Sequence, residues 1–185
     1  MSPSLPPCSE TQLRAEGLVI RPWRPSDAAA ISSAYQADDE IPRRTGFPYG
    51  LTVAQAAAYI SERRAAWDSG GKAAFGIFDE DRQLLGSISL LRIEWDRRVA
   101  QVGYWLARDA RGRGVLSRSM AQMVVWAAEL GLDSLGAAVE VTNAASRRVL
   151  ERSGFTCEGL VRANSELHGA WIDEYVYVRH IAQRP

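Results

Sequence analysis

The sequence contains few cysteines and histidines, two of each in 185 residues. Two isolated thiols, Cys8 and Cys157, are too few for the disulfide framework of a small secreted domain, so a reducing, cytoplasmic location is expected. Cys157 is expected to be a small buried apolar residue. His168 and His180 have neither the spacing of zinc ligands nor cysteine partners, and no metal is expected.

An excess of basic charge is also absent, because 22 Lys and Arg residues are matched by 22 Asp and Glu residues. Proteins that bind nucleic acid through its phosphates usually have a clearly basic face, so no nucleic-acid partner is expected. The chain contains neither an apolar run of membrane-spanning length nor the pattern of a signal peptide. We therefore expect a soluble protein without a membrane partner.

The composition favours a single globular domain. Hydrophobic residues make up 46% of the chain, which is enough for a sizeable core without disulfides or metals. The length fits one domain better than two. The proline- and serine-rich beginning predicts a flexible tail over residues 1–14, and the domain is expected to cover residues 15–182.

Apolar patterns and turn signals predict both strands and helices. Two β-like runs, Ala73–Phe78 and Leu84–Glu94, flank a polar turn and indicate a hairpin. A strand over Val99–Leu106 precedes an amphipathic helix that starts at Val115. The stretch Asp38–Tyr49 contains two prolines and a glycine and is expected to be a loop. The whole order predicts an α/β (α+β) domain with a mixed, largely antiparallel sheet flanked by helices.

The most informative stretch is the Arg- and Gly-rich turn, "ARDARGRG", between that strand and that helix. A helix N-terminus presents unpaired N–H groups and a partial positive charge. Gly112 and Gly114 let the backbone approach an anion closely, and Arg111 and Arg113 add charge. These features suit a pyrophosphate, although an ordinary β–α turn with exposed arginines has the same sequence pattern. The pattern matches neither a nucleotide P-loop nor GxGxxG.

With two further stretches, "VEVTNAASRRVLERSGFTCEG" and the closing "DEYVYV", the chain resembles the GNAT superfamily of acyl-CoA N-acyltransferases. Within the superfamily it looks like the group that acetylates the N-termini of ribosomal proteins. The resemblance covers nearly the whole chain, and Asn143, Ser146 and Leu150 stand where this group has them. The superfamily's pyrophosphate signature, Gln/Arg-x-x-Gly-x-Gly/Ala, is compared with residues 109–114, where Asp109 departs from the first position.

The resemblance implies a sheet that splays open between Val99–Leu106 and Leu135–Val141, with the pantetheine arm of acetyl-CoA in the opening. The residues it implies for acetyl-CoA binding are Tyr104, Trp105, Leu106, Arg111, Gly112, Arg113, Gly114, Val115, Leu116, Ser117, Asn143 and Ser146. For three of these residues, a purely structural role explains the residue type equally well. Tyr104 and Trp105 fit a buried strand, and Asn143 fits the N-cap of the helix that follows it.

Acetylation of an amine needs a neutral nucleophile, a donor that stabilises the oxyanion, and a proton for the departing thiolate. The resemblance implies Glu166 as the general base, with Glu94 as a second candidate, and Ser146 as the proton donor. The alternative for both glutamates is a solvated surface position. The alternative for Ser146 is a bond to the helix backbone.

The pKa of the acceptor amine narrows the range of possible acceptors. An α-amine has a pKa of about 7.7–8.0 and a lysine amine of about 10.4, so neutralising them at pH 7 costs about 1 and about 4.6 kcal/mol. This difference favours N-terminal or small-molecule amines over lysine side chains, and the leading hypothesis is the N-terminal α-amine of a protein or peptide. The alternatives are a small amine (an aminoglycoside, a polyamine or an amino acid) and a non-catalytic acyl-CoA-binding module.

Two further features bear on partners. Asp38, Asp39 and Glu40 would either attract a cationic acceptor or form a solvated loop. Homodimers are common in the group that the chain resembles, and a homodimer is expected on that ground alone.

Overall fold

The computed structural model describes residues 4–181, whose eight strands form one sheet in the order β1-β2-β3-β4-β5-β6-β8-β7. The strands are β1 (Leu13–Ala15), β2 (Leu18–Pro22), β3 (Ala73–Phe78), β4 (Leu84–Glu94), β5 (Val99–Leu106), β6 (Ser134–Glu140), β7 (Thr156–Leu167) and β8 (Ala170–His180). The helices are α1 (Ala28–Ala37), α2 (Glu40–Thr45), α3 (Val53–Asp68), α4 (Val115–Glu129) and α5 (Ala144–Arg152). Neighbouring strands are antiparallel except β5 and β6, which are parallel. None of the helices in this part of the chain has the length and apolar content that crossing a membrane requires.

Helices cover both faces of the sheet, because successive strand residues point to opposite sides. On one side, Ile88 of β4 belongs to the same core cluster as Met120 of α4. On the other side, Ala74 of β3 belongs to a cluster with Ile60 of α3. We refer to these sides as the α4 face and the α3 face.

Several predicted elements are confirmed. Strands β3, β4 and β5 have the predicted bounds, and α4 begins at the predicted residue. Helix α3 begins with a capping box, in which the Gln55 amide donates to Thr52 Oγ1 at 3.2 Å and the Thr52 amide donates to Gln55 Oε1 at 2.9 Å. The two bonds satisfy N–H groups that a helix start otherwise leaves unpaired.

The predicted loop over Asp38–Tyr49 is wrong, because helix α2 lies within it. Pro42 does not prevent this helix, since it lies in the first turn, where a backbone N–H has no helical partner. Glu40 pairs with Arg43 one turn later at 2.8 Å. The expected burial of Cys157 is also wrong, because this residue is exposed on β7, a strand at the edge of the sheet.

The predicted tail, as far as it is described, contacts the domain. The indole N–H of Trp67 donates to the Pro6 carbonyl at 2.9 Å, and Leu5 and Cys8 pack against the core. Leu13 already belongs to β1. The flexibility of residues 1–14 stays a prediction. Residues 1–3 of the tail and residue 182, the predicted end of the domain, lie outside the described residues.

Candidate active site

Strands β5 and β6 separate in the middle of the sheet. Their parallel pairing ends at Gln101 and Gly136. Within residues 4–181, no strand pairs with this side of β5 from Val102 to Leu106. Apart from the Leu106 carbonyl, which accepts hydrogen bonds from Arg111, no strand of the described residues occupies the backbone N–H and C=O groups along this edge, and a ligand can pair with them. The splayed sheet that the resemblance implied is present between the two predicted strands.

The Arg- and Gly-rich turn after β5 leads into α4 at one end of this opening. Gly112 (φ 72°) and Gly114 (φ 71°) adopt the left-handed conformation, which side chains other than glycine rarely tolerate. Helix α4 begins at Val115, and the N–H groups of its first turn have no partner within the helix. The turn thus combines N–H donors with the positive end of a helix dipole, as an anion-binding site requires.

One cavity of about 770 Å³ joins this turn, the opening and the α3 face of the sheet. Every residue predicted to bind acetyl-CoA lines it except Arg113: Tyr104, Trp105, Leu106, Arg111, Gly112, Gly114, Val115, Leu116, Ser117, Asn143 and Ser146. The guanidinium of Arg113 instead donates to the Asp109 carbonyl at 3.3 Å. The structure therefore gathers residues from β5, α4 and α5 around one space.

Tyr104 and Ser146 meet across the opening, with their hydroxyl oxygens 2.7 Å apart. Burial raises the pKa of Tyr104 to about 12, so its phenol is protonated at neutral pH. Ser146 lies in the first turn of α5, where its amide donates to Asn143 Oδ1 at 3.1 Å. Asn143 is therefore the N-cap of α5, while its contact with pantetheine stays a prediction.

Aromatic side chains line the cavity on the α3 face. The rings of Phe47 and Tyr59 pack edge to face with centroids 4.9 Å apart. Trp105 packs in the same way against Tyr35, at 5.3 Å. Trp105 thus lines the cavity and also packs against the core, while its contact with acetyl-CoA stays a prediction.

Three basic side chains, Arg63, Lys72 and Arg92, line the same part of the cavity, and we call them the basic wall. Burial lowers the pKa of the Lys72 ammonium, and the charges of Arg63 and Arg92 lower it further. The Arg63 guanidinium lies over the Tyr59 ring at 4.7 Å. This part of the cavity therefore has a positive potential beside an aromatic surface.

Asp38 is buried, with 2% of its side chain exposed, and it faces two arginines of the turn. One of its carboxylate oxygens accepts a hydrogen bond from Arg111, and the other lies 3.7 Å from Arg108 Nη2. Arg111 also donates to the Leu106 carbonyl at 2.9 Å. Asp38 is thus neither a solvated loop residue nor free to attract a cationic acceptor. It holds the turn against the end of α1.

The two candidate bases lie outside the cavity lining. Glu94 ends β4, and its exposed carboxylate pairs with Arg97 at 3.1 Å. Glu166 is exposed near the end of β7. The tip of its hairpin contacts the wall of the cavity at α2, where His168 Nε2 donates to the Pro42 carbonyl at 2.8 Å. A catalytic role for either glutamate stays a prediction.

The sequence did not indicate the basic wall, and it indicated Glu40 only as one of three acidic residues in a predicted loop, whereas Glu40 supplies the carboxylate of the cavity lining. Glu40 is held by Arg43 at 2.8 Å and Arg44 at 3.5 Å. The local pattern gave no signal for the grouping of these residues, because they are far apart in the chain and meet only in the folded sheet. Among the described residues, no group of three or more His, Cys, Asp or Glu side chains is arranged to hold a metal ion.

Comparison with known proteins gives a family and several relatives. A family model described as an acetyltransferase (GNAT) domain matches residues 17–156. The chain is 37% identical over 105 residues to the "Probable N-acetyltransferase YjcK" of Bacillus subtilis (strain 168), a match that covers 55% of this chain and 58% of that protein. It is 35% identical over 108 residues to the "Ribosomal-protein-serine acetyltransferase" of Escherichia coli (strain K12), covering 58% of this chain and 60% of that protein. The matches thus span about three fifths of these two relatives.

Solved structures show the same fold. The structure of Mycobacterium smegmatis RimJ in complex with CoA-disulfide is similar with a TM-score of 0.83 and 28% identity, over 92% of this chain and 86% of that chain. The mixed α/β fold predicted from the sequence is confirmed.

Proposed function

The chain belongs to the GNAT acetyltransferase family, and we propose that it transfers an acetyl group from acetyl-CoA to the α-amine at the N-terminus of a protein or peptide. Family membership confirms the resemblance predicted from the sequence, and a ribosomal-protein acetyltransferase is among the relatives. The observation that supports the proposal most directly is the continuous cavity, which joins the turn before α4, an open strand edge and further space on the α3 face.

Acetyl-CoA would occupy the part of the cavity between the turn and the opening. Its pyrophosphate would lie against the N–H groups of Gly112–Ser117, and its pantetheine arm along the open edge of β5. The thioester would then lie near Gly103–Trp105, where the opening meets the α3 face. The relative that was crystallised with CoA-disulfide supports a coenzyme A ligand in a fold of this kind.

The reaction is direct attack of the amine nitrogen on the thioester carbonyl carbon. The C–N bond forms, the C–S bond breaks, the amine loses one proton and the CoA thiolate gains one. Ser146 is the proposed donor to the thiolate, and Tyr104 can return a proton to it through their shared hydrogen bond. A backbone N–H on the open edge of β5, near Leu106, would stabilise the oxyanion.

The acceptor amine must be neutral when it attacks. In the cavity lining, the Glu40 carboxylate is held by two arginines, and the candidate bases Glu166 and Glu94 would have to act through water molecules. The basic wall opposes a protonated amine, because like charges disfavour the charged form. An α-amine, with its pKa of about 7.7–8.0, needs the least assistance to lose its proton. These observations support the α-amine over the lysine amine.

The alternatives are less well supported. Polyamines and aminoglycosides are polycations, which the basic wall would repel, whereas an amino acid carries a carboxylate that it would tolerate. The hydroxyl pair of Tyr104 and Ser146 at the opening favours a catalytic protein over a non-catalytic acyl-CoA-binding module. We also propose a cytoplasmic location, which the unpaired Cys8 and Cys157 support, and the expected homodimer stays a prediction.

The test is incubation of the purified protein with acetyl-CoA and a panel of N-terminal peptides, free amino acids, polyamines and aminoglycosides, with release of the free thiol as the readout. We expect release that depends on peptides and produces one acetylated α-amine per thiol. Binding of acetyl-CoA without release for any acceptor would contradict the proposal and favour the non-catalytic module.

A further inference from the structure

We propose that the basic wall binds an anionic group of the acceptor, so that preferred acceptors are peptides with an acidic side chain close behind the reactive N-terminus. This inference rests on the proposed function, because it concerns the acceptor end of the same cavity.

The basic wall has little compensating charge within the described residues. Lys72 is the single lysine of the 185-residue chain and is half-buried at the cavity. Neither Lys72 nor Arg92 forms an ion pair in residues 4–181. Arg63 lies 3.7 Å from the carboxylate of Glu62, whose side chain is 66% exposed. Three neighbouring cations thus share one solvated counter-ion.

Without a ligand, solvent compensates the exposed Arg92, whereas Lys72 and Arg63 are partly buried. Burial and like charges both disfavour a protonated ammonium, and the pKa of Lys72 is lowered for both reasons. The Arg63 Nε atom is buried and has no hydrogen-bond partner among the described residues. A bound carboxylate would supply the missing opposite charge and an acceptor for N–H groups.

The basic wall is separate from the phosphate-binding turn. Lys72 immediately precedes β3 and Arg92 lies on β4, whereas the turn follows β5 and leads into α4. The tripeptide Gly103–Trp105, where the thioester would lie, stands between these two regions of the lining. An anion at the basic wall would therefore belong to the acceptor and not to the pyrophosphate of acetyl-CoA.

The register of the sheet indicates how far the anion would lie from the reactive amine. Gly103 pairs with Ser89, Ser89 pairs with Ala74, and Lys72 is two positions before Ala74. With strands about 4.8 Å apart and a rise of about 3.4 Å per residue, the α-carbons of Gly103 and Lys72 lie about 12 Å apart. An extended peptide covers that distance in about four residues, and the lysine side chain shortens it. The acidic side chain is therefore expected at about positions two to four of the acceptor.

The experiment compares kcat/KM for hexapeptides that begin with serine and differ only at position three, which is Asp, Asn or Lys. We expect the Asp peptide to exceed the Asn peptide about tenfold, which corresponds to about 1.4 kcal/mol, and the Lys peptide to be the poorest. The difference should shrink as salt is raised, because the Debye length falls from about 10 Å at 0.1 M to about 3 Å at 1 M.

Variants of the basic wall test whether these residues cause the preference for the Asp peptide. Lys72→Gln and Arg92→Gln should lower the Asp-to-Asn ratio without changing the KM for acetyl-CoA, and Lys72→Glu should make the Lys peptide the best of the three. The matched control is Arg82→Gln, which removes an exposed charge from the turn at the far end of β3 and should leave the ratio unchanged. An unchanged KM for acetyl-CoA also shows that each variant is folded.

The outcomes separate this inference from the proposed function. Equal kcat/KM for the three peptides in the wild-type protein would overturn the inference and leave the proposed function in place. A preference that persists in both Lys72→Gln and Arg92→Gln would overturn it as well. Acetylation of free amino acids and of no peptide would show that the anion is an α-carboxylate and would contradict both, since the acceptor would not be a peptide.

Discussion

The hydroxyl oxygens of Tyr104 and Ser146 lie 2.7 Å apart and join β5 to the first turn of α5 across the opening in the sheet. The two residues are 42 positions apart in the chain. Since the open edge of β5 is the proposed position of the thioester, this pair lies where a departing thiolate needs a proton. The pair therefore bridges two elements of the fold at the position where we propose that the thiolate is protonated.

Ser146→Ala is expected to lower kcat at pH 7 by at least tenfold, because general acid catalysis contributes about 10²–10⁴-fold and water can replace part of it. The KM for acetyl-CoA should change little. The loss should shrink above about pH 8.5, where a thiol no longer needs a proton to leave. Steady-state kinetics from pH 6.5 to about 9.5 check this, with Ser153→Ala, at the other end of α5, as the control.

Equal pH profiles for wild type and Ser146→Ala would remove Ser146 from the role of proton donor. Tyr104→Phe should give a smaller loss than Ser146→Ala, because the phenol acts only through the serine. Its pKa of about 12 predicts no further titration of the rate by Tyr104 between pH 6 and about 10.

Gly112→Val is expected to raise the KM for acetyl-CoA about tenfold or more. A β-branched residue resists the left-handed conformation, and a Cβ at this position would project into space that is open for the phosphates. Gly131→Val is the matched control, since Gly131 has a similar φ of 83° and open surroundings but lies outside the cavity lining. Similar KM values for the two variants would show that backbone strain alone is responsible and would contradict the assignment of the phosphate turn.

Arg111→Gln is expected to lower the free energy of unfolding by about 1–3 kcal/mol, because it removes the nearer partner of a buried carboxylate. The loss should fall short of that for a fully buried pair, since the Arg111 side chain is 40% exposed. Urea unfolding of the wild type and of Arg111→Gln measures this loss. Arg97→Gln breaks the exposed pair with Glu94 and should cost less than about 1 kcal/mol. Equal losses would show that the contact between Asp38 and Arg111 does not stabilise the fold.

Glu166→Gln is expected to lower kcat at pH 7 more than Glu94→Gln does. The hairpin that carries Glu166 contacts Pro42 of α2, a helix with other residues that line the cavity, whereas Glu94 pairs with Arg97. The loss should shrink above the pKa of the acceptor α-amine, about 8, because the base no longer has to deprotonate the ammonium before attack. A loss that is the same at pH 7 and at about pH 9 would contradict the role of Glu166 in deprotonating the acceptor ammonium.

The sequence predicts the strands and helices that carry strong local patterns. Alternating and continuous apolar runs locate β3, β4 and β5, and the capping pair Thr52 and Gln55 locates the start of α3. Helix α2 escapes prediction because Pro42 is compatible with a first helical turn, and the local pattern does not distinguish that case from a loop.

The parts of the candidate site that depend on neighbouring residues can be predicted from the sequence. The turn at Gly112 and Gly114 and the cap at Asn143 depend on neighbouring residues, so the chain itself indicates them. The contact of Asp38 with Arg111 and the grouping of the basic wall depend on pairing between distant elements. The side chains of both groups meet only after the sheet has formed, and a single sequence contains no local pattern that indicates such contacts.

The most direct test of the account is the position of the acetyl group on one peptide that has both a free N-terminal serine and an internal lysine. The peptide is incubated with acetyl-CoA and the protein, and fragment-ion mass spectrometry locates the modification while thiol release is counted. The proposed function predicts one acetyl group on the α-amine for each thiol released and none on the lysine. Acetylation of the lysine, or no acetylation of a peptide by protein that binds acetyl-CoA, would contradict it.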